Sequence, residues 1–149
     1  MLTGAAAVIH PLAETAMQLP RKILPDLAWS FAEPPPTSLD AFLAELQGYG
    51  KSVNAPVTES ELAMRFPLSA MDIEYKYSAR SPTGAWVDVP AIVRVRRLSP
   101  PTYAELLYEL HAAAYDNLHD QDRSYFEGLW LIERESEKGI PVYELYLGS

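Results

Sequence analysis

Met71-Asp72-Ile73-Glu74-Tyr75-Lys76-Tyr77 alternates apolar and charged residues along its whole length, the period-two pattern of a strand with one buried face. Met71, Ile73, Tyr75 and Tyr77 are expected to face a core, and Asp72, Glu74 and Lys76 to face water. A turn signal follows at Ser81-Pro82-Thr83-Gly84. Beyond it Val87, Val89, Ala91, Val93 and Val95 recur at the same spacing, with Asp88, Arg94 and Arg96 between them. Acids on the first segment then face arginines on the second, which is mildly favourable across an antiparallel ladder. The two segments predict a β-hairpin.

On its C-terminal side, Ser99-Pro100-Pro101-Thr102 leads into the best helix of the chain. Thr102 and Glu105 have the spacing of a capping box, in which each side chain takes up the other's free backbone N–H. Leu106, Leu107, Leu110 and Leu118 follow at helical spacing and predict a helix from about Tyr103 to about Leu118. After a polar stretch from His119 to Arg123, two apolar segments, Phe126 to Ile132 and Ile140 to Leu147, flank Ser136-Glu137-Lys138-Gly139. They predict a second hairpin.

On the N-terminal side, Thr37 or Ser38 can cap a helix whose apolar positions are Leu39, Phe42, Leu43 and Leu46, and Gly48 and Gly50 are expected to stop it. Thr58 and Glu61 open a shorter helix with Leu62 and Phe66, closed by Pro67. Residues 1–37 are rich in Pro and Ala, and Pro11, Pro20, Pro25 and the run Pro34-Pro35-Pro36 interrupt any long helix, although residues 12–19 allow two turns. Leu24, Leu27, Trp29 and Phe31 are too apolar to be left in water. This arm is expected to pack on the domain at residues 38–149 or on a partner. The fold class is therefore α+β: an N-terminal arm and short helices, then β-β-α-β-β, with one long helix on a face of a four-stranded, largely antiparallel sheet.

At 149 residues, with 48% hydrophobic residues, the chain is long and apolar enough to fold as one domain without staples. It contains no cysteine, which excludes disulfides, thiol nucleophiles and thiolate metal sites and fits a cytoplasmic setting. The apolar run from Met1 to Ile9 carries no Lys or Arg and ends at Pro11, far short of a membrane span. A net charge of -8 argues against nucleic acid, whose phosphates need Lys and Arg. The segment from Val57 to Leu68, with its Thr58-Glu59-Ser60-Glu61-Leu62-Ala63 stretch, resembles the second helix of a winged helix-turn-helix. An alternating strand stands where the recognition helix would be, so DNA binding is not expected. No phosphate loop, dinucleotide fingerprint, zinc signature or calcium loop is present in the sequence, and no cofactor is expected.

Two constellations remain. Tyr108, His111, Tyr115 and His119 share a face of the long helix, but eight residues, about 12 Å of rise, separate the histidines, too far for one metal. Core-edge packing explains them without chemistry. The alternative is a small hydrolase or ligand-binding enzyme using His111, His119, Asp120 and Glu127, with Tyr108 and Tyr115 lining a pocket. Ser124 lacks the context of an activated nucleophile. The second constellation is an acidic stripe, Glu105, Glu109 and Asp116, continued by Asp120 and Asp122. The leading expectation is a small acidic protein-binding module, of the immunity-protein, antitoxin, inhibitor or secretion-chaperone kind. Those five acids would meet a basic partner, with Trp29 and Phe31 as anchors. A homo-oligomer built through the N-terminal arm is a further expectation.

Overall fold

A computed structural model of the chain describes residues 19–135 and 139–149. The elements are β1 (Lys22–Ile23), β2 (Trp29–Ser30), α1 (Leu39–Ser52), α2 (Glu59–Ala63), β3 (Ala70–Arg80), β4 (Trp86–Arg96), α3 (Tyr103–Leu118), β5 (Tyr125–Glu135) and β6 (Pro141–Gly148). The expected helical turns at residues 12–18 and the turn at residues 136–138 lie outside the described residues.

Both expected hairpins form. β3 and β4 pair antiparallel from Ala70↔Arg96 to Arg80↔Trp86, and β5 and β6 pair antiparallel from Tyr125↔Gly148 to Glu135↔Pro141. β3 joins the hairpins by running parallel to β6, with Ile73 opposite Tyr143. The sheet order is β1-β5-β6-β3-β4, and β2 also pairs with β5. The mixed α+β class holds, but the sheet has six strands among the described residues, because the proline-rich arm adds two of its own. Each is two residues long, too short for any period to show in the sequence.

Residues 19–37 are consequently not an appendage to a domain beginning at residue 38. Ile23, Leu24, Leu27, Trp29 and Phe31 belong to the same buried cluster as Phe42, Leu46, Ile73, Leu110 and Tyr143. A proline-rich segment offers carbonyls that its own backbone cannot satisfy. Side chains of the core supply the donors: Tyr143 Oη donates to the Pro20 carbonyl at 2.6 Å and Tyr108 Oη to that of Pro36 at 2.5 Å.

The capping box of α3 forms in full, the Thr102 N–H donating to Glu105 Oε1 at 2.8 Å and the Glu105 N–H to Thr102 Oγ1 at 3.1 Å. The hydrogen bond from the Thr102 backbone holds the Glu105 carboxyl below its ordinary pKa. α3 turns Leu106, Leu107, Leu110, Ala114 and Leu118 into the core, and it packs against α1, α2 and β4. Ser38 caps α1, accepting from the Ala41 N–H at 3.1 Å.

Gly48 and Gly50 do not stop α1, which runs through both to Ser52 and ends where Asn54 turns left-handed at φ 58°. Gly50 is there for a close approach: a Cβ would stand 2.8 Å from the Ala55 carbonyl oxygen. In β5 the register shifts between Phe126 and Leu129 around Gly128, whose φ of 107° suits glycine and whose Cβ would stand 3.0 Å from Pro25 Cα. The bulge lies between the two places where the arm pairs with β5, where Pro25 comes close to the strand.

On the sheet face away from α3, the expected charge pairing exists but runs diagonally. Asp72 stands opposite Arg94 in the register, yet its carboxylate meets the Arg96 guanidinium at 2.9 Å. Asp72 is buried, so only part of the expected polar face is wet. Lys22 lies over the Trp130 ring at 4.3 Å, and Trp130 stacks on Tyr146 at 4.9 Å.

Candidate functional site

His111, the centre of the enzymatic alternative, is buried at 1% exposure. Its Nδ1 accepts the Trp29 indole N–H at 2.9 Å, which requires Nδ1 to be unprotonated, so Nε2–H donates to the Glu33 carbonyl at 2.8 Å. Burial pushes the imidazole pKa below its ordinary value. Phe31 packs edge-on against the ring at 5.2 Å and Trp29 at 5.7 Å. This histidine is neutral and enclosed, and both nitrogens are committed to the arm. Trp29 and Phe31 are buried by the same contacts.

The shared face of α3 is real but graded in depth. The Tyr115 and His119 rings lie 4.9 Å apart and tilted by 30°, and His119 Nδ1 lies 3.0 Å from the Tyr115 carbonyl at the exposed end of the helix. In the following loop, Gln121 takes the Ser78 N–H at 2.8 Å and donates to the Ser78 carbonyl at 3.1 Å, standing in for a strand beside β3. The loop that carries Asp120 and Asp122 is thereby pinned to the sheet.

Glu127 lies elsewhere, on a cavity of about 280 Å³ lined also by Asp26, Trp29, Tyr49 and Tyr125, which neither histidine nor Asp120 reaches. Burial and the neighbouring Tyr125 raise the Tyr49 pKa. Among the described residues no three His, Asp or Glu side chains gather closely enough to hold a metal ion. The four residues of the enzymatic alternative are thus not brought together.

The acidic stripe divides in two. Arg97 bridges Glu105 at 3.3 Å and Glu109 at 3.0 Å, so the N-terminal half of the stripe is largely neutralised within the chain. Asp116, Asp120 and Asp122 are exposed and have no ion pair among the described residues.

The larger concavity was not anticipated from the sequence. A groove of about 510 Å³ runs between α1 and α2 to the start of α3. Its apolar lining is Leu39, Leu43, Ala44, Leu62, Ala63 and Ala104, and its rim carries Asp40, Glu59, Arg65 and Glu105. Arg65 is occupied, donating to the Pro100 carbonyl at 2.7 Å, whereas Asp40 and Glu59 are exposed and have no ion pair among the described residues. The groove exists because the apolar stripe of α1 is wider than the core requires. Phe42 and Leu46 are fully buried, while Leu39 and Leu43, one step round the helix, stay half-exposed. That excess width was the sequence signal for the site.

Comparison of the chain with known protein families, with curated proteins and with solved structures finds no match in any of the three. Among the described residues no helix is long and apolar enough to cross a membrane.

Proposed function

We propose that this chain is a small protein-binding module that receives an apolar, basic-flanked segment of another protein in the groove between α1 and α2. The observation that carries the reading is the composition of the groove: an apolar floor set with small alanines, and a rim whose uncommitted charges, Asp40 and Glu59, are acidic. An amphipathic helix fits such a site by laying its apolar ridge on the floor and its lysines or arginines on the rim. Of the acidic stripe, the exposed Asp116, Asp120 and Asp122, which have no ion pair among the described residues, steer a basic partner from further away, while Glu105 and Glu109 are held by Arg97. Immunity proteins, antitoxins, inhibitors and secretion chaperones all act in this manner, by covering a partner's surface. The anchors come from the partner, since Trp29 and Phe31 are spent in the core.

The test uses a helical peptide with leucines at i, i+3, i+4 and i+7 and lysines elsewhere, beside a second peptide with glutamates in place of the lysines. The lysine peptide should bind more tightly and lose affinity as salt is raised. The double variant Asp40→Lys, Glu59→Lys should weaken it about tenfold or more. Equal binding of the two peptides, or an unchanged affinity in the double variant, would remove the reading.

A further inference from the structure

β4 is an edge strand of eleven residues, and among the described residues no other strand covers its outer side. Two hydrogen bonds at the ends of the hairpin fix which of its backbone groups point outward. Ser81 N–H donates to the Ala85 carbonyl at 2.8 Å, and Arg97 N–H donates to that of Ser69 at 2.9 Å. Odd-numbered residues of β4 therefore bond to β3, and the even-numbered ones, Asp88, Pro90, Ile92, Arg94 and Arg96, aim their backbone groups away from it. Pro90 falls on the outward side, where its missing N–H costs the hairpin nothing. The strand is also unusually apolar for an exposed edge: Trp86, Val87 and Ile92 are 64%, 42% and 44% exposed.

We propose that β4 pairs antiparallel with β4 of a second copy of this chain, about a two-fold axis at Ala91. An isologous strand pair must be complementary to itself. The axis at Ala91 sets Asp88 opposite Arg94 of the second copy and, by symmetry, Arg94 opposite Asp88. Neither residue has an ion pair among the described residues of its own chain. The same axis places Pro90 against Ile92 and Trp86 against Arg96 on one face, and Val89 against Val93 and Val87 against Val95 on the other. Directly opposite side chains share a face in an antiparallel ladder, so Pro90 meets Ile92 on the exposed face, while Val93 and Val95, already buried in their own chain, add little.

Neighbouring registers are poorer. An axis at Pro90 loses the same two bonds at the prolines as the axis at Ala91 and sets Asp88 against Ile92. An axis at Ile92 sets Asp88 against Arg96, which already holds Asp72 at 2.9 Å, and leaves Arg94 facing Pro90. Each of these registers forfeits the two bonds that the Pro90 nitrogens cannot donate, so the reciprocal pairing of Asp88 and Arg94 is what selects the axis at Ala91. This surface shares no residue with the groove between α1 and α2.

Sedimentation velocity of the full chain over a wide concentration range tests the pairing. The wild-type chain should pass from monomer to dimer. Asp88→Arg alone and Arg94→Asp alone each put like charges opposite one another at both symmetric positions. Each should raise the dissociation constant about tenfold or more. The double variant Asp88→Arg, Arg94→Asp restores the pairing in reverse and should return the constant to within about threefold of wild type. Circular dichroism confirms that each variant is folded. A chain that remains monomeric throughout, single variants that dimerise normally, or a double variant that fails to recover would overturn the proposal.

Discussion

Replacing Trp29 with Ala should lower the free energy of unfolding by about 3–5 kcal/mol, the range for removing a large aromatic from a core. Trp29 lies in the segment that reads as a linker, yet its ring meets Phe42 at 5.3 Å and Tyr49 at 5.7 Å, and its N–H is spent on His111. Removal leaves a cavity between β2 and the helices as well as an unpaired His111 Nδ1. Trp29→Phe should cost less, about 1–3 kcal/mol, because it keeps most of the ring and loses chiefly the hydrogen bond. Urea unfolding monitored by circular dichroism reads both. A cost below about 0.5 kcal/mol for Trp29→Ala, the usual size of a surface change, would mean that the arm is not part of the core.

His111→Leu should be nearly as damaging at neutral pH, at about 2–5 kcal/mol, because it strands the buried Trp29 N–H and the Glu33 carbonyl together. The wild-type protein should also carry a pH signature that this variant lacks. The folded-state pKa of His111 lies below the ordinary 6.5, so on acidification the unfolded chain takes up the proton first. The stability tied to the neutral imidazole is complete above about pH 6.5 and is lost as pH falls from there toward the folded value. The loss cannot exceed about 1.4 kcal/mol per pH unit for a single proton. Subtracting the variant's profile from that of the wild type isolates this contribution from His10 and His119. A flat difference between pH 7 and pH 5 would show that the ring is not held neutral. Protonation turns Nδ1 into a donor facing the donor of Trp29, so acid should loosen the arm before the rest of the fold.

The parts of the fold that were legible in the sequence are those with a sustained period. The alternation from Met71 to Tyr77 lies inside β3, the capping box at Thr102 and Glu105 forms as spaced, and the leucine stripe marks α3. What the sequence concealed depends on contacts distant along the chain. Lys22 and Ile23 form a strand only because β5 lies beside them, and β2 only because Trp29 finds Phe126 across the ladder. Gly48 and Gly50 read as a stop, but the buried Phe42 and Leu46 hold α1 in place through both.

The candidate sites fared according to the same rule. The face shared by Tyr108, His111, Tyr115 and His119 was a matter of helical period and is present. Whether a histidine on it reaches solvent depends on the arm, 82 residues earlier in the case of Trp29. The acidic stripe was also visible, but the cation that neutralises half of it, Arg97, lies beyond the end of β4 and reaches Glu105 and Glu109 only after folding. The groove left a trace in the double width of the apolar stripe on α1, where Leu39 and Leu43 exceed what the core absorbs.

The central functional claim is that the groove, and not the sheet face or the Tyr125 cavity, receives a basic amphipathic segment. Amide chemical-shift mapping of the full chain against the lysine–leucine helical peptide tests it most directly. The account predicts saturable shifts concentrated on Leu39, Leu43, Gln47, Leu62 and Ala63, the residues that line the groove. Shifts centred instead on Trp130 and Tyr146, or spread evenly over the acidic surface without saturation, would contradict it.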